Sequence, residues 1–301
     1  MEQEAIINLY EKNGSEIMAT TDGESSVAIK RFESYEIMGK YPYFELDLYA
    51  ASFESFYGVF DFQLEFLSDV INYKVKVCSI NKKIDLSNSV MTIIGKFAPL
   101  ELCLNTNTVF LGNTTKDAIN TLGFEQKLNI SQNVSARFVQ VNETPINALL
   151  KICDCESDFP YWAVGITDII LTKKTEQKEF ITLDSVKSIY ENASPNVQVK
   201  NGNYDDCFYS TNINTRSSLG NNENYLAIEN AVKNDYLRKF YKPYYIMVGT
   251  YSNFYPYTLG SVCNNKLNVF KTIDFWVVTS IVLSFNGGKF STSIEYSSWK
   301  E

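Results

Sequence analysis

The chain has 301 residues, enough for two domains, and its 45% hydrophobic against 21% charged residues can build packed cores, which excludes a disordered chain. Its 27 basic and 35 acidic residues leave a formal charge of −8, without the basic stripe of a nucleic-acid binder. Histidine is absent, which removes Ser-His-Asp triads, Cys-His pairs and His-ligated zinc or iron.

Residues 1–20 carry acids early and no long apolar run, unlike a signal peptide. No stretch approaches the ~20 apolar residues of a transmembrane helix, so no membrane insertion is expected. The region from residue 1 to about 112 reads as strands. In Tyr43–Tyr49, Phe44, Leu46 and Leu48 alternate with Glu45 and Asp47. Phe60, Phe62, Leu64 and Phe66 do so against Asp61, Gln63 and Glu65, and Tyr73, Val75 and Val77 against Lys74 and Lys76. Period two of this kind means sheets with one covered face. Met91–Gly95 adds a short strand.

The texture changes near Gly112. Asn113-Thr114-Thr115 can cap a short helix through Ala118, Ile119 and Leu122, stopped by Gly123. A second helix starts with Thr144 as cap and Pro145 at its first position, with Ile146, Leu149, Leu150 and Cys153 as its apolar face. Tyr161–Val164 and Ile169–Leu171 read as strands on either side of Gly165. A helix is expected over about 223–240. At the end of the chain Phe275, Val277, Thr279, Ile281, Leu283 and Phe285 alternate, Asn286-Gly287-Gly288 turns, and Phe290, Thr292, Ile294 and Tyr296 return: a tight hairpin.

Candidate chemistry is sparse. The cysteines, Cys78, Cys103, Cys153, Cys155, Cys207 and Cys263, contain no C-x-x-C knuckle and read as reduced, half-buried thiols. Acidic pairs such as Asp154/Glu156 or Asp205/Asp206 read as solvated surface, because 35 acids generate such pairs freely. Asn286-Gly287-Gly288-Lys289 lacks the following helix of a phosphate loop. Trp162 and Trp276 sit in apolar strands and read as core. The aromatic group Tyr241, Tyr244, Tyr245, Tyr251, Phe254, Tyr255 and Tyr257 is dense enough to serve a core and, for the remainder, a Tyr-rich subunit interface. No catalytic, cofactor-binding or metal-ligating residue is assigned, and no cofactor.

The segment Phe275–Glu295, with Val277-Val278-Thr279-Ser280-Ile281 leading through Phe285-Asn286-Gly287-Gly288 to Phe290-Ser291-Thr292-Ser293-Ile294-Glu295, resembles the closing hairpin of phage baseplate hub proteins. The trimeric spikes of type VI secretion systems share that hairpin. Leu259-Gly260-Ser261-Val262 resembles the turn before it, and Thr144–Leu171 the family's middle module. Leu283 stands where many relatives carry His.

The resemblance implies a mainly β fold with an α+β insertion, made of two tube-like β-barrel domains with a small helix-hairpin module between them. The expected division is 1–112, 113–200 and 201–301. It implies a non-enzymatic tail hub: a trimer or hexamer ring around a channel, joining tail tube proteins to spike or tip proteins, with DNA passing but not specifically bound. Such a protein belongs to the virion tail and is assembled in the host cytoplasm. Two other classes remain open at this point: a virion or surface receptor- or glycan-binding β-protein, and a wall hydrolase working with paired carboxylates.

Overall fold

The structure, a computed structural model, describes residues 5–23, 27–49, 53–69, 71–110, 114–130, 138–156, 162–171, 183, 185–191, 243, 245–264 and 275–298. The expected helix over 223–240, Asp205/Asp206 and Cys207 lie outside them.

Seven strands open the chain: β1 (Ile6–Glu11), β2 (Ile17–Thr20), β3 (Ala28–Ile37), β4 (Tyr43–Tyr49), β5 (Asp61–Leu67), β6 (Asn72–Asp85) and β7 (Val90–Lys96). They pair in the order β1-β5-β6-β7-β4-β3, and β2 joins β1 to β3. The result is a closed barrel. Its one thin place is the β2–β3 joint, a parallel bridge at Thr20 and Ala28.

The alternation read in the sequence is what fills the barrel. Phe44, Leu46, Leu48, Phe62, Leu64, Phe66 and Val77 are buried in one cluster with Ile7, Leu9 and Phe32. Phe60 departs from the pattern: it precedes β5 and is 46% exposed, with Lys82 over its ring. At the start of β5 the Asp61 carboxylate accepts the Leu100 N–H at 2.7 Å, fastening the barrel to the turn that follows β7.

The middle of the chain holds β8 (Thr106–Phe110), α1 (Thr115–Thr121), β9 (Lys127–Asn129), β10 (Phe138–Glu143), α2 (Pro145–Glu156), β11 (Ala163–Val164) and β12 (Asp168–Ile170). Both helix starts are capped as their sequences require. Thr114 Oγ1 accepts the Asp117 N–H at 3.1 Å, and Thr144 Oγ1 the Asn147 N–H at 3.2 Å. The helices bury Ala118, Ile119, Ile146, Leu149, Ile152 and Cys153 around Trp162, Val164 and Ile169. Leu150, expected on that face, packs only at its margin.

The last strands are β13 (Ser185–Glu191), β14 (Tyr245–Tyr251), β15 (Val262–Asn264), β16 (Phe275–Asn286) and β17 (Lys289–Ser298). They pair as β13-β14-β17-β16, so Ser185–Glu191, which falls within the expected 113–200 module, is drawn by its pairing into the C-terminal sheet. The terminal hairpin closes with Asn286 opposite Lys289. Gly287 and Gly288 both have positive φ, 58° and 78°, as a two-residue turn matched to strand twist demands.

One expectation about this hairpin is corrected. Phe275, Val277, Thr279, Ile281, Leu283 and Phe285 do not share one face. A bulge between Val278 and Ser280 shifts the register. Trp276 and Val278 therefore lie with Ile281 in one core, while Phe275 and Val277 pack on the opposite side with Val262. One extra residue in a strand flips everything beyond it.

The two sheets are continuous. Along one edge, β16 pairs first with β15, at Phe275–Val277, and then with β3, at Ser280–Asn286. The fold is mainly β with an α+β insertion, as the sequence implied.

Candidate functional site

Strand β3 belongs to the barrel through β4 and to the C-terminal sheet through β16. Both of its faces carry polar and charged groups held by hydrogen bonds.

The outer face presents cross-strand rows. Arg31 stands opposite Asp47, Glu33 opposite Glu45, and Tyr35 opposite Tyr43. Two glutamates directly opposed on neighbouring strands repel. Arg31 offsets this by donating to all three carboxylates: to Asp47 at 2.8 Å, Glu33 at 3.0 Å and Glu45 at 3.3 Å. The planar fork of a guanidinium suits such multiple contacts better than a lysine. Tyr35 donates its hydroxyl to Glu33 at 2.5 Å and stacks on Tyr43 at 4.6 Å, with the Lys96 ammonium 5.1 Å from the Tyr43 ring. Burial, with Glu33 accepting its proton, pushes the Tyr35 phenol well above its ordinary value. Thr92 donates to Asp47 at 2.7 Å and completes the patch. Beyond β3, Ser284, paired with Glu33, and Ser291, paired with Ser284, carry the polar face into the terminal hairpin.

The inner face carries Ser34 and Glu36. Glu36 lines a cavity of about 240 Å3 with Tyr73, Thr167, Tyr255, Thr258 and Leu283. The Ile166 N–H donates to its carboxylate at 2.8 Å, tying β3 to the β11–β12 hairpin of the middle module. Burial pushes the Glu36 carboxyl up to about 7, the Ile166 N–H pulls it down, and nearby Asp168 raises it further. Glu36 is thus an acid near neutrality at the junction of barrel, module and C-terminal sheet. The hydrogen bond it accepts from Ile166 ties two parts of the fold together.

The residues singled out in the sequence fall elsewhere. Trp162 and Trp276 are buried core. Of the aromatic group, Phe254 and Tyr255 are buried, Tyr245, Tyr251 and Tyr257 pack against the C-terminal core, and Tyr241 and Tyr244 lie outside the described residues. Tyr255 and Tyr296 share a hydrogen bond between their hydroxyls, and burial raises both phenols. The side chains of Asp154 and Glu156 also lie outside the described set. Among described residues no cluster of metal-ligating side chains forms, and no helix is long and apolar enough to cross a membrane.

Sequence reasoning passed over Arg31 and Glu36. The run Ala28–Ile37 does alternate, but Ser34 and Glu36 occupy inward positions that an apolar pattern would fill, which hides the strand.

No family model matches the sequence, and no curated protein matches it. Solved structures do match. The 43 kDa tail protein of prophage MuSo2 from Shewanella oneidensis is 13% identical with a TM-score of 0.55, over 99% of this chain and 97% of that one. The tail protein from Neisseria meningitidis MC58 is 10% identical with a TM-score of 0.59, again over 99% and 97%. A type VI secretion component of Escherichia coli, described as structurally similar to two T4 bacteriophage tail proteins, is 12% identical with a TM-score of 0.55, over 92% and 75%. At these identities the likeness is one of fold, and it runs nearly end to end.

Proposed function

We propose, from a fold shared along almost its whole length with phage tail proteins, that this chain is a non-enzymatic structural component of a phage tail, the hub between tube and tip. The observation that carries the reading is the β3–β16 seam. It welds a closed barrel and a second sheet into one hydrogen-bonded surface, which suits a subunit presenting two strand-built units side by side. In the proposed assembly three or six chains close a ring. Tail tube proteins sit on one face and spike or tip proteins on the other, and DNA passes through the channel without specific binding. The formal charge of −8 fits a passage that does not retain a polyanion. The protein would then be part of the virion tail, assembled in the host cytoplasm.

Light scattering and negative-stain images of the purified protein test this. A three-fold or six-fold ring with a central hole is the expected result. A monomer that stays monomeric with tube and tip proteins, and that retains a glycan on an array, would overturn it in favour of a surface-binding β-protein. Peptidoglycan cleavage lost on one acid-to-amide change would overturn it in favour of a hydrolase.

A further inference from the structure

Strand β6 and the 3-10 turn Leu100–Cys103 bring two cysteines together where the barrel hands over to the middle module. Cys78 lies on β6 opposite Asp61 and Lys96, and Cys103 ends the turn. Their Sγ atoms are 3.0 Å apart, and both are thiols in this structure. A disulfide needs the sulfurs to close by about another 1 Å.

The two thiols differ in a useful way. Cys78 is buried, whereas Cys103 is partly exposed. Cys103 lines a groove of about 390 Å3 with Lys40, Tyr43, Ile80, Lys96 and Leu150, which opens its thiol to the surface. The hydrogen bond the two sulfurs share raises Cys78 and lowers Cys103, and the Lys96 ammonium lowers Cys103 further. An accessible thiol that ionises first, beside a buried one, is the arrangement of an attacking and a resolving cysteine.

The geometry points to a reversible disulfide between Cys78 and Cys103, formed by exchange with a low-molecular-weight disulfide such as oxidised glutathione, that locks barrel strand β6 to the Leu100–Cys103 turn leading into the middle module. In the first step the Cys103 thiolate attacks one sulfur of oxidised glutathione, breaking its S–S bond and releasing one glutathione thiolate. In the second, Cys78 gives up its proton and attacks Cys103 Sγ, releasing the second glutathione. Two protein thiols are oxidised, one glutathione disulfide is reduced, and the Cys78 proton ends on the departing thiol. The lock would reinforce a joint that already rests on the Asp61 to Leu100 hydrogen bond.

The test treats the reduced full-length chain with oxidised glutathione and maps its tryptic peptides. Cys78 falls in the peptide 77–82 and Cys103 in 97–116, so a bridge joins two otherwise separate peptides. The expected result is that joined species, a loss of two of the six thiols, and a thermal midpoint raised by roughly 5 °C that dithiothreitol reverses. Cys103→Ser should abolish the bridge, and Cys78→Ala should leave Cys103 as a stable glutathione adduct. Retention of all six thiols by the wild-type chain would overturn the proposal. So would a wild-type product stalled at the glutathione adduct, or Cys103 bridged to any other cysteine.

Discussion

In the N-terminal barrel strands such as β4 and β5 turn one face inward and one outward, whereas the C-terminal sheet covers both faces of β16 along its first residues. The burial of β4 and β5 alternates residue by residue, while Phe275 to Thr279 are all buried. Most of the barrel's pairings also join strands that follow one another in sequence, β1–β5 and β4–β7 excepted. The C-terminal sheet gathers β13, β14 and the β16–β17 hairpin from separated parts of the chain. The lesson is about tolerance. A closed barrel fixes the distance between its walls, so its tight places cannot relax, while a sheet covered by the ends of side chains can give.

Glycine substitutions would break or sharpen that contrast most strongly. A Cβ at Gly95, on β7, would drive into the Cys78 carbonyl oxygen and the Phe44 ring, and neither can move without opening the barrel wall. Gly95→Ala should cost about 3 kcal/mol or more in urea unfolding. At Gly249 on β14 a Cβ would meet chiefly the end of the Leu183 side chain, with the Ser185 carbonyl oxygen only at 3.0 Å, so Gly249→Ala should cost less, about 1 kcal/mol. Equal losses would refute the contrast.

Glu36 probes the seam between the two regions. Its carboxyl stands at about 7 in the fold against an ordinary 4.5, so folding favours the protonated form. That contribution is fully present below about pH 4.5 and is lost as the pH rises through about 7. Glu36→Gln should match the wild type near pH 4.5 and exceed it above pH 7 by about 2 kcal/mol in chemical denaturation, the cavity-facing side being screened. Parallel pH profiles for the two proteins would show that the seam does not titrate.

Arg31→Leu leaves Glu33 and Glu45 opposed without their shared cation. A loss of about 1.5 kcal/mol is expected, larger at low than at high ionic strength. A salt-independent loss would mean that the guanidinium acts through packing alone. The smallest change lies outside both sheets: Thr114→Ala removes the cap of α1 and should cost about 1 kcal/mol by thermal denaturation.

The same contrast explains what was legible beforehand. Phe44-Leu46-Leu48 and Phe62-Leu64-Phe66 could be read because each position has one neighbour environment and a period of two. The caps at Thr114 and Thr144 could be read because capping is local. The bulge at Thr279 could not, since a continuous apolar run looks alike in either register. The seam also stayed hidden: Arg31 meets Asn286 through a pairing between strands far apart in sequence. Cys78 and Cys103, 25 residues apart, meet only because a turn folds back onto β6.

The union of β3 with β16 has a mechanical consequence. Seven residue pairs, from Arg31–Asn286 to Ile37–Ser280, run antiparallel. Tension applied along the strands loads their hydrogen bonds side by side, so they share the force and must yield together. Tension applied across the strands opens the same bonds one after another from an end. The seam is therefore a tie-rod along one axis and a zip along the other, and a load crossing this subunit is borne best when it travels with the strands.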